Sequence, residues 1–267
     1  MSLYKDELDK IIFSYSTLKT YEDCPFSFYL KKIEGEEGAT NAHAQIGSYG
    51  HGFFEQIFKK KITPTEALNE CIEEFEDNIT EQISEASLQK KYAALCQYIA
   101  DLDIEDFFNK YEVLGVEKKF IWKIAGHRMI GFADLILKRK SDGKILLVDH
   151  KSAGHFMKKD GKTPLKSQVD SLESYKKQMY MYADAMINTM GIRPDFIVWN
   201  HFLDGGEKTV IEFKQEEYEA AIQWVKDTID AIYADEEFAE NQSYVMCHML
   251  CNYRDTCEYN NSEDDDE

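Results

Sequence analysis

The stretch ILLVDHK, residues 145–151, decides the fold that the sequence predicts. Its four apolar residues are typical of a strand buried on both faces, and an acid, a histidine and a lysine follow at the polar end. Because side chains alternate along a strand, Asp149 and Lys151 point to the same side. An acid and a lysine in this arrangement form either a functional site or a simple ion pair at a strand end, and both interpretations remain open.

The residues before this stretch extend the strand pattern. Residues 111–153 predict three strands joined by tight turns, which is a β-meander. The apolar part of the middle strand ends at Asp134, and a meander brings that residue beside Asp149. Two converging carboxylates suit a hard divalent cation such as Mg²⁺ or Mn²⁺. A lysine beside such a cation stabilises charge that develops on a phosphate.

Helical patterns flank the meander on both sides. The predicted helices are residues 13–32 with an interruption at Pro25, about 47–61, several within 65–110, about 171–190 and about 215–234, and two further strands are predicted around 196–203 and 209–213. This order predicts an α/β fold with a mixed central sheet flanked by helices. We expect one domain over residues 1–258, with 65–110 as a helical insertion, and an acidic disordered tail at 259–267.

The composition is that of a folded globular protein. The chain has 267 residues, of which 43% are hydrophobic and 30% charged. No apolar run approaches the roughly 18 residues of a membrane span, and the charged N-terminus does not resemble a secretory signal. We therefore expect a cytoplasmic protein without membrane contact.

The charge is unevenly distributed along the chain. There are 31 Lys and Arg against 50 Asp and Glu, a net charge of −19, which taken as an average would repel nucleic acid. Residues 117–178 hold 15 basic against 7 acidic residues, so that window carries +8 and the remainder −27. Either the middle third binds a polyanion, or solvated lysines cluster there by chance.

Several motifs occur in a family order. They are Phe13–Ser16 and Tyr21–Pro25 near the N-terminus, Gly47-Ser-Tyr-Gly-His51, Gly131-x-x-Asp134, Asp149-x-Lys151, and Gln178-Met-Tyr-Met-Tyr182. Together they resemble the PD-(D/E)XK nuclease superfamily, and within it the RecB-like and AddB-like exonuclease branch. The resemblance implies a restriction-endonuclease-like core. The acid of the acid-x-Lys motif is Asp where many members have Glu, and the superfamily pattern permits either.

The resemblance also implies roles for individual residues. Metal ligands would be His51, Asp134, Asp149 and the backbone carbonyl of His150; Asp134, Asp149 and Lys151 would be catalytic; and Gln178 and Tyr182 would contact DNA. Taken singly, His51 is typical of a core or capping histidine, and the Gln/Tyr pair is typical of one ordinary helix face. Glu117, which opens the first strand of the meander, is either a further carboxylate of the site or an exposed strand charge.

The function that this resemblance implies is a metal-dependent DNA exonuclease. It would act on linear DNA in recombination or repair in a bacterial or phage-infected cell, with a recombinase or single-strand annealing protein as a candidate partner. The alternatives are a CRISPR-adaptation-type nuclease, a non-catalytic DNA-binding subunit and an acidic DNA mimic. The last leaves the motifs unexplained.

Six cysteines form two groups. Cys247, Cys251 and Cys257 lie within 11 residues, and because thiols are kept reduced in the cytosol, disulfides do not account for this spacing in a cytosolic chain. With Cys24 they resemble the four ligands of the [4Fe–4S] cluster in AddB-like and CRISPR-adaptation nucleases, and soft thiolates suit iron–sulfur or zinc. The x3 spacing between Cys247 and Cys251 departs from the usual x2, with His248 as an alternative ligand or no cluster at all as the competing interpretation. Cys71 and Cys96 are expected to be small core residues.

Overall fold

A computed structural model describes residues 3–161, 163–241, 243, 247 and 251–259. The helices in these residues are α1 (Lys5–Leu8), α2 (Tyr15–Asp23), α3 (Pro25–Tyr29), α4 (Ala42–Phe58), α5 (Pro64–Asn78), α6 (Glu85–Ala100), α7 (Ile104–Lys110), α8 (Val169–Met190) and α9 (Gln215–Ala234). The strands are β1 (Tyr111–Ile124), β2 (His127–Arg139), β3 (Ile145–Lys151), β4 (Phe196–His201) and β5 (Glu207–Glu212). A π-helical turn, Leu30–Glu34, follows α3, and a 3-10 turn, Lys166–Gln168, precedes α8.

The strands form one mixed sheet in the order β1-β2-β3-β4-β5. The pairing of β2 with β3 and of β4 with β5 is antiparallel, whereas β3 and β4 are parallel. Parallel neighbours need a long crossover, and α8 lies within the connection between them. The sheet with its flanking helices confirms the predicted α/β class.

The turn between β1 and β2 follows from its sequence. Ala125 and Gly126 both have positive φ angles, 50° and 89°. A two-residue turn of this kind matches the twist of antiparallel strands, and glycine adopts it without steric cost. The predicted turn is therefore confirmed.

Helix α4 begins earlier than the sequence predicted, at Ala42 rather than near Gly47. Asn41 caps it, with its side-chain oxygen accepting a hydrogen bond from Ala44 N at 3.0 Å. Gly50 lies inside this helix. Only glycine fits there, because a Cβ atom would come within 2.8 Å of the Phe202 ring. Close packing therefore explains a glycine that sequence rules treat as a helix breaker.

The chain divides into two compact units. Unit 1 comprises residues 1–40, 121–130 and 219–267, and unit 2 comprises 41–120 and 131–218. In unit 2 one apolar core joins side chains of α4, α5 and α6 to those of the sheet, so the segment predicted as a helical insertion contributes to that core. The single-domain organisation of residues 1–258 stays a prediction.

Unit 1 has an aromatic core of its own. Phe28 stacks on Phe238 with ring centroids 5.8 Å apart, and Tyr21 contacts both rings edge-on. Phe13 is bound through its backbone to Arg128 and Ile130 at 2.9 and 2.8 Å. These contacts connect the N-terminal segment to the tip of the β1–β2 hairpin.

Two expectations have different outcomes here. The predicted acidic tail lies, apart from Tyr259, outside the described residues. Across the described part of the chain, we find no helix that combines the length and the apolar character needed to cross a bilayer.

Replacing Leu147 should destabilise the sheet strongly. Its side chain is completely buried in the central strand β3, so Leu147→Ala should lower the free energy of unfolding by about 2–5 kcal/mol. Urea titration followed by circular dichroism measures this. Val210→Ala is the control, because Val210 on β5 is 47% exposed and should cost about 0.5 kcal/mol or less. Equal losses in the two variants would contradict the assigned core.

Candidate functional site

Three predicted elements bring a histidine and two carboxylates together in unit 2. One ligand atom each of His51 on α4, Glu117 on β1 and Asp134 on β2 lie within 4.8 Å of one another. His51 Nδ1 is 3.5 Å from Asp134 Oδ2 and 3.6 Å from Glu117 Oε1. Within the described residues this is the one group of three or more His, Cys, Asp or Glu side chains gathered so closely. We call it the carboxylate–histidine cluster.

Glu117 joins the cluster because β1 is irregular at this residue. Its φ angle is 45°, in the left-handed region that a non-glycine residue rarely adopts. The strict alternation of exposed and buried residues in β1 begins only after it, at Lys119. The sequence does not decide whether Glu117 belongs to the site, because an irregular residue that redirects a side chain gives no signal in the hydrophobic pattern.

The two predicted carboxylates meet where Asp134, in the middle of β2, lies beside the end of β3. Leu135 pairs with Val148, and continuing this antiparallel register places Asp134 opposite Asp149. Asp134 Oδ2 also accepts a hydrogen bond from the backbone N–H of His150 at 2.7 Å. The structure therefore brings together the two acids as the meander predicted.

Histidine 51 is oriented by a backbone group. Its Nε2 lies 2.9 Å from the carbonyl oxygen of His150, to which it donates, so Nδ1 is the ring atom that faces Glu117 and Asp134. The carbonyl of His150, which the family resemblance implies as a metal ligand, lies next to the cluster and retains a second lone pair. A hydrogen bond that fixes the tautomer of a histidine leaves its other nitrogen ready for a metal.

Lysine 151 is held between an acid, an aromatic ring and an amide. Its Nζ is 2.8 Å from Asp149 Oδ2, 3.1 Å from Gln178 Oε1 and 4.2 Å from the centre of the Tyr175 ring. Burial lowers the pKa of Lys151 more than any other single influence, but the charge of Asp149, the hydrogen bond with it and the nearby Tyr175 and Asp134 together raise this pKa. Lys151 is therefore a fixed cation beside the carboxylates.

The Gln/Tyr motif of α8 lies beside Lys151. Gln178 Nε2 donates to Tyr182 Oη at 3.1 Å, so a continuous chain of polar contacts runs from Lys151 through Gln178 to Tyr182. Burial raises the pKa of the Tyr182 hydroxyl. The DNA contacts assigned to Gln178 and Tyr182 stay predictions. Tyr175, three residues before Gln178, was missed, although its helical spacing places it on the same face.

The electrostatics of the cluster favour a cation. Burial, followed by the charge of Asp149, raises the pKa of Asp134. For His51, burial lowers the pKa more than any other single influence, but the hydrogen bond with Glu117 and the charges of Asp134 and Asp149 together raise it to about 9. The carboxylates of the cluster lie close together, and the positive charge nearby is too small to balance them. A divalent ion with oxygen and imidazole ligands supplies the missing positive charge. The donor set therefore fits Mg²⁺ or Mn²⁺.

The cluster opens into a cavity that a polymer backbone can reach. The cavity has a volume of about 550 Å³, and its walls include His51, Glu117, Asp134, Lys151 and Gln178. It is wide and open to solvent, unlike the enclosed, apolar sites typical of small ligands. We call it the front cavity.

The four cysteines of the predicted cluster lie in unit 1. Burial raises the pKa of Cys247, and the neighbouring thiols of Cys24, Cys251 and Cys257 add to this shift. Backbone N–H groups point at two of the sulfur atoms, from Asn241 to Cys24 at 3.4 Å and from Tyr253 to Cys251 at 3.3 Å.

The remaining predictions about cysteine and histidine have separate outcomes. His248 lies outside the described residues. Cys71 is completely buried, and its Sγ is 3.7 Å from that of the partly buried Cys96. This agrees with the expected packing role of both residues.

A protein-family model and a solved structure resemble this chain over most of its length. The model of the PD-(D/E)XK nuclease superfamily matches residues 12–258. A crystal structure described as a "Putative exonuclease" from Eubacterium rectale has a TM-score of 0.58 at 15% identity, covering 94% of this chain and 89% of that one. At this identity the likeness shows the fold alone.

Two other comparisons add no argument. The crystal structure of SSO0001 aligns with a TM-score of 0.34 at 14% identity, over 91% of this chain and 95% of that one, and a TM-score this low supports no conclusion. No curated protein matches the chain.

The superfamily match covers almost the whole chain, including the helix and the three strands that carry His51, Glu117, Asp134, Asp149 and Lys151. Members of this superfamily are nucleases that use divalent metals. The chain belongs to the PD-(D/E)XK nuclease superfamily.

Proposed function

We propose that this nuclease is a Mg²⁺- or Mn²⁺-dependent exonuclease that degrades linear DNA, of the RecB-like and AddB-like branch, acting in recombination or repair. The observation that carries the proposal is the convergence of Asp134, Asp149 and Lys151 with His51 at one end of β3. A non-catalytic subunit would not need to retain this set. A recombinase or single-strand annealing protein is the partner that such a role would require.

The residues of the site divide the chemistry among them. His51, Glu117, Asp134 and Asp149 would hold the metal ion, which when bound polarises a phosphate and makes water more acidic. Lys151 places a fixed positive charge where negative charge develops on the phosphate. Gln178 positions Lys151 through its 3.1 Å contact and thereby keeps the ammonium group in the front cavity.

The charge distribution supports DNA as the substrate. The basic window 117–178 contains β2, β3 and the start of α8, which carry Asp134, Lys151 and Gln178. Phosphate binding needs local rather than overall positive charge. The net charge of −19 is therefore compatible with a DNA-degrading enzyme.

The cysteines support an iron–sulfur cluster in unit 1. The thiols of Cys24, Cys251 and Cys257 lie close enough to Cys247 to help raise its pKa, and backbone N–H groups that point at sulfur stabilise thiolates. A zinc site is less well supported, because no three ligand atoms of this set lie within 4.8 Å of one another in the described residues. These residues would hold a larger group than a single ion.

Lys151→Ala should reduce DNA degradation to a small residual rate. Loss of a preorganised charge at the reacting phosphate should lower the rate about 10²- to 10³-fold, with the fold retained by circular dichroism. The measurement is digestion of end-labelled linear and circular duplex and single-stranded DNA with Mn²⁺. Lys138→Ala is the matched control, because Lys138 lies on β2 and is largely exposed. Full activity in Lys151→Ala would refute the role of the lysine, and rapid cleavage of circular DNA would refute exonuclease action.

Glu117→Gln should weaken metal binding. The substitution keeps the shape of the side chain but removes a charge from the cluster, so the Mn²⁺ concentration for half-maximal activity should rise about 10- to 100-fold. Calorimetric titration with Mn²⁺ measures the affinity directly. Glu112→Gln on the same strand is the control, since Glu112 is exposed. Unchanged Mn²⁺ affinity in Glu117→Gln would exclude this residue from the metal site.

Anaerobic purification should yield coloured protein with stoichiometric iron. Cys24→Ser should reduce the iron content and the visible absorbance because it removes one of the four ligands. Cys96→Ser is the control, because Cys96 lies on α6 in unit 2, where its Sγ contacts that of Cys71, and not among the four cysteines of unit 1. Colourless, iron-free wild-type protein would rule out the cluster and leave the nuclease proposal intact.

A further inference from the structure

Tyr175 lines the front cavity but belongs to none of the motifs that the sequence carries for the site. It lies half-buried in the second turn of α8, three residues before Gln178, so the two side chains share one helix face. Its ring contacts other side chains of the site, whereas its hydroxyl does not. The ring and the hydroxyl are therefore considered separately.

The face of the Tyr175 ring holds the ammonium group of Lys151. Nζ of the lysine lies 4.2 Å from the ring centre, within the range of a cation–π contact. The same Nζ contacts Asp149 Oδ2 at 2.8 Å and Gln178 Oε1 at 3.1 Å. An ammonium group has three N–H donors, so the carboxylate and the amide leave one of them for a further acceptor.

An aromatic ring restrains this cation without neutralising it. A second carboxylate at this place would overcompensate the charge of Lys151 and occupy its third donor. A ring attracts an ammonium group through its quadrupole and carries no net charge. Tyr175 therefore holds Lys151 in the front cavity without adding negative charge that would repel a phosphate.

The Tyr175 ring packs against a fixed neighbour. Phe156 lies on the segment between β3 and α8, and its ring centre is 5.5 Å from that of Tyr175. Phe156 is completely buried and contacts the rings of Trp199 and His201 edge-on. A side chain packed in this way keeps one position. The core of unit 2 thereby restrains the ring that holds the lysine.

The hydroxyl of Tyr175 is the part of the side chain that is left for a substrate. It has no hydrogen-bond partner among the described residues, and it is not one of their buried unpartnered atoms, so it reaches solvent. By contrast, the hydroxyl of Tyr180 on the same helix contacts Glu217 at 3.0 Å. Tyrosine hydroxyls donate hydrogen bonds to DNA phosphates. Because Lys151 Nζ lies over the same ring, a DNA strand that reaches the lysine also reaches this donor.

Stacking on a base is the competing role for an aromatic residue in a nuclease cavity. Stacking needs a free ring face, and the Tyr175 ring already contacts Lys151 and Phe156. These contacts favour the hydroxyl as the group that meets DNA.

We propose that Tyr175 serves the nuclease reaction in two ways. Its ring positions the ammonium group of Lys151, and its hydroxyl donates a hydrogen bond to a phosphate of the bound strand. Both roles rest on the proposed function, since they take DNA as the substrate and Lys151 as the cation at the reacting phosphate.

Steady-state digestion of end-labelled linear DNA with Mn²⁺ separates the two roles. Tyr175→Phe keeps the ring but removes the hydroxyl, so KM should rise about tenfold while kcat stays unchanged. Tyr175→Leu also removes the ring, so kcat should fall about tenfold as well. Tyr180→Phe is the matched control, because that hydroxyl lies outside the front cavity, and both constants should equal those of the wild type.

A binding measurement gives a readout that does not depend on catalysis. Fluorescence anisotropy of labelled DNA in EDTA should show about tenfold weaker binding by Tyr175→Phe. The dependence of this affinity on salt should not change, because a neutral hydroxyl releases no counterion. Circular dichroism verifies the fold of each variant, and Tyr175→Met replaces Tyr175→Leu if the latter does not fold.

The outcomes distinguish this proposal from the proposed function. An unchanged KM in Tyr175→Phe, or equal kcat values in Tyr175→Phe and Tyr175→Leu, would overturn the roles of Tyr175 while the nuclease function stands. A KM that rises only in Tyr175→Leu would assign base stacking to the ring and would also overturn them. A wild-type protein that leaves DNA intact would instead refute the proposed function, and the roles of Tyr175 with it.

Discussion

The backbone N–H and the backbone carbonyl of His150 both hold side chains of the site in place. Its N–H donates to Asp134 Oδ2 at 2.7 Å, and its carbonyl accepts from His51 Nε2 at 2.9 Å. One residue of β3 thereby fixes a carboxylate from β2 and an imidazole from α4. Because β3 is the buried central strand, these two side chains inherit the rigidity of the sheet.

This arrangement has an energetic cost in the metal-free protein. Burial and the charge of Asp149 raise the pKa of Asp134, so its ionised form is less stable here than in water. Packing of the apolar core of unit 2 has to offset this disadvantage. A bound divalent cation reverses it, and metal binding then stabilises the folded state by linkage. The close approach of the carboxylates, which destabilises the metal-free cluster, is thus the source of its affinity for a divalent cation.

The sequence predicted the sheet and the acidic pair well because both follow from simple periodicity. Alternation along residues 145–151 placed Asp149 and Lys151 together, and the meander brought Asp134 beside them. For Glu117 the sequence left two alternatives, a carboxylate of the site or an exposed strand charge, because the direction of its side chain depends on one residue with positive φ. The start of α4 was placed near Gly47 rather than at Ala42 because the predicted start did not use the capping signal of Asn41, whose side chain accepts a hydrogen bond from Ala44 N. Long-range polar contacts such as that between Lys151 and Gln178 likewise depend on how α8 packs, which the pattern of one helix does not determine.

The side chain of His150 connects the carboxylate–histidine cluster to the opposite face of the sheet. Its backbone holds Asp134 and His51 at the front cavity, whereas its imidazole contacts Asn200. Phe58 stacks on the imidazole with ring centroids 5.9 Å apart, and Phe54 contacts it at 4.9 Å, so the ring has little freedom to move alone. A displacement of the His150 ring would therefore have to move the backbone of β3, and with it both groups that this backbone holds at the cluster.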